Sequence, residues 1–129
     1  MRLEAKLFIN IPAAQVIGMF ENATRLGVRD TIVLMHNDAV KDSPVLTGNN
    51  RRSLAAEVSG MGEVANGGEA PPERVVDDRK LEGALYSTSG YGGTLETGSS
   101  RMVARPYMKP ALDRHMPRLA EKIKRHLPQ

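Results

Sequence analysis

Cysteine and tryptophan are both absent from this 129-residue chain, and aromatic residues make up only 4% of it. Without cysteine there is no disulfide framework, no thiolate zinc site and no cysteine nucleophile, and a reducing compartment fits. With so few rings the core has to be aliphatic and methionine-filled, so single contacts are soft and an oligomeric partner readily adds stability. Long apolar runs are missing too. No window approaches the roughly 18 apolar residues of a membrane span. The first twenty residues lack the charged start, apolar run and small-residue cleavage site of a signal peptide. The expectation is a soluble, cytoplasmic protein. A strong charge imbalance is also lacking: 18 basic against 15 acidic residues give a net charge of +3, which reads as a solubilising surface. Nucleic-acid binding would need that charge gathered on one face.

What is present fits one domain, residues 1–129, since a chain of this length supports a single core. In "RLEAKLFI" Leu3, Ala5, Leu7 and Ile9 alternate with Arg2, Glu4, Lys6 and Phe8, the period-two pattern of a half-buried strand. Pro12 suits the start of a helix. From Ala13 to about Lys41 no proline intervenes, and Val16, Phe20, Ala23, Gly27, Thr31, Leu34 and Asp38 step by three or four along a long helix, weakened by Gly18 and Gly27. Glu21, Arg25, Arg29 and Asp30 are left for water. "DSPVLTGNN" stops the helix, because Pro44 disfavours helical geometry at Ser43, and Thr47 is placed to cap a short turn through Asn50 and Arg51. "SLAAEVS" reads as a second strand with Leu54, Ala56 and Val58 on one face. Residues 59–80 read as a mobile loop or loose hairpin that orders against a partner, or as a loop without a role. "LEGALYSTS" resumes as a strand, and "TLETG" reads as a further short one. Beyond Met108, Leu112, Met116, Leu119, Ile123 and Leu127 share a helical face, and Pro117 divides the helix in two.

Reactive chemistry finds little footing in these patterns. Gly60-Met61-Gly62-Glu63-Val64-Ala65 fits a dinucleotide fingerprint only if a helix opens there, and Asn66-Gly67-Gly68 with Pro71-Pro72 forbid that helix. His36, His115 and His126 have no metal-ligand spacing and read as solvated residues suited to helix ends. No serine lies in a nucleophile elbow, and Asn22-Ala23-Thr24 without a secretory signal is a coincidental glycosylation match. No catalytic, cofactor or metal residue is assigned. The basic C-terminal helix has three readings: an ordinary surface helix, a docking element for a neighbouring subunit, or a DNA or membrane contact interrupted by Asp113 and Glu121.

"LTGNNRRSL", followed by "YGGTLETGSSRMVARPYMKPAL" and a basic helix, resembles the tail-completion or head-tail joining family of long-tailed phages and prophages, the gene-product-10-like minor tail proteins. The likeness rests on Thr47, Gly48, Ser53 and Leu54, then Tyr91, Gly92, Leu95, Glu96, Gly98 and Ser99, then Ala104, Arg105, Pro106, Tyr107, Pro110 and Ala111, in the family's order. Asn50 departs from it, standing where an aliphatic residue is common.

The order of helices and strands gives the expectation of an α+β fold, with a long N-terminal helix and a C-terminal amphipathic helix packed on a small, mainly antiparallel sheet. The resemblance implies a non-enzymatic virion protein without cofactors, assembled in the bacterial host cytoplasm as a sixfold homo-oligomeric ring. That ring would join the tail tube or terminator protein to the head connector, with DNA only as passing cargo and no membrane contact. A tail terminator or head-closure adaptor, and a basic DNA-binding accessory protein, are the alternatives. The residues expected at interfaces are Thr47, Gly48, Arg51, Arg52, Tyr91, Glu96, Gly98, Arg101, Arg105, Pro106 and Tyr107. Independently of the likeness, Gly92, Gly93 and Gly98 allow tight turns around Glu96, and Pro106 and Pro110 fix the entry to the last helix with Tyr107 as an apolar anchor.

Overall fold

Alternating and three-to-four spacings resolve into a sheet and helices in the computed structural model, which describes residues 6–11, 18–43, 49–71, 74–89, 98 and 106–127. The chain order is β1 (Lys6–Ile11), α1 (Gly18–Asp42), α2 (Asn49–Arg52), β2 (Leu54–Val58), β3 (Gly62–Asn66), β4 (Leu81–Ser87), α3 (Met108–His115), a 3₁₀ turn (Met116–Arg118) and α4 (Leu119–Lys124). This is the α+β architecture expected from the sequence. The strand read at 94–98 lies almost wholly outside the described residues.

Four strands form one sheet in the order β1-β4-β2-β3, every neighbouring pair antiparallel. The two central strands, β2 and β4, are buried along their whole length. On one face Leu54, Ala56, Val58 and Leu85 meet Val28, Ile32, Met35 and Ala39 of α1, together with Tyr107, Met108 and Ala111. The small residues of the central strands let α1 lie close, and a Cβ at Gly83 would come within 2.9 Å of Val28 Cγ1. The opposite face, built of Ala55, Ala84 and Tyr86, is covered by Ala70, Val75 and Val76.

That cover comes from the segment read as a mobile loop or loose hairpin. Its first part is a hairpin: Met61 N–H donates to Val58 O at 3.0 Å, and Gly60 and Gly62 both adopt φ +76°. The glycines of the apparent dinucleotide fingerprint are therefore turn residues, placed where a side chain would be strained. Its later described part folds back over the sheet, with Asp77 N–H donating to the Glu82 carboxylate at 2.8 Å.

The buried face of α1 differs from the expected stripe. Ala23, Gly27 and Thr31 are buried, but Leu34 is 36% exposed and the main apolar row is Val28, Ile32, Met35 and Ala39. The sheet covers one side of the helix and the C-terminal helices cover another, so the buried arc is wider than a single stripe and admits polar residues. Thr24 and Thr31 satisfy their hydroxyls within the helix by donating to Phe20 O at 3.0 Å and Gly27 O at 2.9 Å. Gly27 is a contact point and not merely a weak spot: a Cβ there would lie 2.5 Å from Ile123 Cγ1 and 2.8 Å from the Ile123 Cα and N atoms.

The C-terminal helix divides as expected. Pro117 cannot donate to Asp113, and the chain tightens into the 3₁₀ turn before α4 begins. Leu112, Met116 and Leu119 pack against the core on both sides of this break.

Candidate functional site

The last turn of α1 leaves carbonyls without partners inside the helix. Arg51 from α2 supplies them, donating from Nε to Ser43 O and from Nη2 to Lys41 O, both at 2.9 Å. Beside it Asn50, only 1% exposed, joins three segments. Its amide donates to Ser43 Oγ at 2.8 Å, and its carbonyl accepts from Ser87 Oγ at 2.5 Å and Ser89 Oγ at 2.8 Å. The end of α1, the short helix α2 and the end of β4 thus meet on one side chain. An aliphatic residue could not satisfy these buried hydroxyls, which gives the departure at Asn50 a physical reason.

Gly67 allows the chain leaving β3 to pass beneath α2, since a Cβ there would sit 2.0 Å from Arg51 O. Its N–H donates to Leu54 O at 2.8 Å, and Glu69 N–H donates to Arg52 O at 2.9 Å. Arg52 also pairs with Glu69 at 2.9 Å on the surface.

Of the eleven residues expected at interfaces, Thr47, Gly48, Tyr91, Glu96, Arg101 and Arg105 lie outside the described residues. Gly98 is half-buried with φ +80°, and Pro106 is exposed. The Tyr107 side chain is fully buried in the core cluster, in keeping with an apolar anchor. The half-buried Arg51 holds the end of α1 through two of its donors.

The histidines are not solvated as the sequence suggested. His36 is buried, its Nε2–H donating to Leu54 O at 3.0 Å. His115 and His126 each reach an aspartate of α1 at 2.6 Å, Asp38 and Asp30 respectively. Arg114 also reaches Asp38 at 2.6 Å, and Arg29 reaches Asp30 at 2.9 Å. Partial burial alone would raise both carboxyls. Hydrogen bonds from His115 and Arg114 to Asp38, and from His126 and Arg29 to Asp30, outweigh it and hold both below the ordinary value of 3.8. Together with the Gly27–Ile123 approach, these pairs fasten the C-terminal helices along α1.

Glu57, fully buried at the centre of the sheet, had no signal beyond being the one acid in an alanine-rich strand. Its Oε2 accepts from Val75 N–H at 2.8 Å and Val76 N–H at 3.0 Å. Its Oε1 lies 3.1 Å from Arg74 Nε, but in a direction that forms no hydrogen bond, so that pair is a charge contact. Two backbone amides on one carboxylate fix the segment that covers the sheet. Arg74 also pairs with Asp78, which accepts from Gly60 N–H at 2.9 Å and ties the cover to the hairpin turn. Among the described residues no group of three or more His, Asp or Glu side chains is placed to hold a metal. These polar groups act by joining one segment to another.

Comparisons with protein-family models, with curated proteins and with solved structures found no match to this chain.

Proposed function

We propose that this chain is a structural virion protein of a long-tailed phage or prophage. It completes the tail at its head-proximal end and joins it to the head connector as one subunit of a sixfold homo-oligomeric ring. The reading rests on the ordered succession of motifs from Thr47 to Ala111. The structural support for it is the α+β frame, a long helix and C-terminal helices packed on a small antiparallel sheet, with the end of α1, the short helix α2 and the end of β4 tied together at the Asn50 junction. The side chains around that junction are committed to fixing shape, and a subunit that acts by seating against its neighbours needs such rigid corners. A tail terminator or head-closure adaptor is the alternative within the same class, separated from it by whether the direct partner is the tail tube or the portal.

Electron microscopy of particles assembled without the protein tests the proposal. Full heads beside separate, finished tails are expected; normal virions would overturn it. Charge reversal at Glu96 should weaken ring assembly, and unaltered rings would remove that residue from the interface.

A further inference from the structure

Charge is distributed unevenly along this chain. Residues 108–127 contain six lysines and arginines against Asp113 and Glu121, a net of +4, whereas the whole chain is +3, so everything else together carries −1. The fold places this excess on the outside of a fastened element. Leu112, Met116 and Leu119 pack inward on the core, while His115 and His126 bind Asp38 and Asp30. Arg118, Lys124 and Arg125 are exposed on the outer side, with Lys122 half-buried at its edge. None of these four cations has a side-chain ion pair or hydrogen bond among the described residues. Of the two acids that interrupt the run, Asp113 is occupied by Lys109 at 2.9 Å, which leaves Glu121.

We infer that the outer face of the 3₁₀ turn and α4, presenting Arg118 and Arg125 along its line with Lys122 and Lys124 on its two opposite edges, is a binding surface for the phosphate backbone of double-stranded DNA, without sequence readout. Arg118 and Arg125 are about 10 Å apart along the helix axis at 1.5 Å per residue. That separation covers about three base pairs of duplex at 3.4 Å each. The chemistry of the face separates DNA from the other anionic partners. A protein interface needs an apolar centre and is depleted in lysine, but the outer positions here are Pro117, Arg118, Ala120, Glu121, Lys124 and Arg125, with no large apolar side chain among them. A membrane-surface helix inserts its apolar side into lipid, and here that side is packed on the core. Protein–DNA interfaces are polar and strongly basic, as this face is. The inference does not depend on the head-joining role, and particle assembly and duplex binding are read in separate experiments.

Anisotropy titrations of a labelled duplex by the full chain test it. Neutralising three to four phosphates predicts that affinity falls by about 40- to 150-fold between about 50 and 200 mM salt. The triple variant Arg118→Gln, Lys124→Gln, Arg125→Gln should lose binding, with its circular dichroism spectrum unchanged. The equally charged control Lys41→Gln, Arg79→Gln, Lys80→Gln should retain it, and Glu121→Gln should bind more tightly than the parent. Equal losses in the two triple variants would mean that net charge alone acts and would overturn the assignment. So would a salt-independent affinity, tighter binding of polyglutamate than of the duplex, or binding of anionic vesicles in place of the duplex.

Discussion

Replacing Gly27 with alanine sets two effects of opposite sign against each other. Helix propensity favours alanine by about 1 kcal/mol within a helix. Against this, the new Cβ would lie 2.5 Å from Ile123 Cγ1 and 2.8 Å from the Ile123 Cα and N atoms, where carbon contacts are optimal at about 3.5–4.0 Å. The side-chain contact can be relieved by rotation, but the backbone contacts cannot, so α4 has to move away from α1 by about 1 Å. Such overpacking costs about 1–3 kcal/mol. The same movement loosens Leu119 and stretches the His126–Asp30 pair. The overlap should therefore win, leaving Gly27→Ala up to about 2 kcal/mol less stable, after the propensity gain is subtracted. With a urea slope of about 2 kcal/mol per molar, the unfolding midpoint falls by up to about 1 M. A midpoint for Gly27→Ala equal to or above that of the parent would refute the close helix approach.

Three other perturbations probe the joints of the fold. The depressed carboxyls of Asp30 and Asp38 contribute stability that is present above their unfolded value of 3.8 and is lost as pH falls through the lower folded values. Denaturation midpoints of the parent should drop in that acid window, and those of the double variant Asp30→Asn, Asp38→Asn should drop less. Asn50→Leu strands the buried Ser43 hydroxyl at about 1–3 kcal/mol, while Ser87 keeps its bonds to Ser89, and adding Ser43→Ala should recover part of that loss in urea titrations. Glu57→Ala frees the Val75 and Val76 amides, so hydrogen exchange should accelerate at those two positions before the central strands are affected.

Local physics made much of the fold legible before any coordinates. Pro117 lacks the N–H that would continue the helix, and the division there follows from covalent structure alone. The alternation of Leu54, Ala56 and Val58 set their common face, and the glycines and prolines of 59–80 excluded a nucleotide-binding helix. The pairing of residues far apart in sequence was not legible. Asn50 read as a misfit until Ser43, Ser87 and Ser89 were brought around it. Gly27 read as a weak helix residue until Ile123 came against it, and the histidines read as solvated until Asp30 and Asp38 faced them. Glu57 stood out only as the one acid in its strand, and its partners were not legible because they are backbone amides, which every sequence possesses. Periodicity and backbone restriction act over a few residues and are written in the chain. Which buried donor meets which acceptor depends on how the layers stack, and only the tertiary structure decides that.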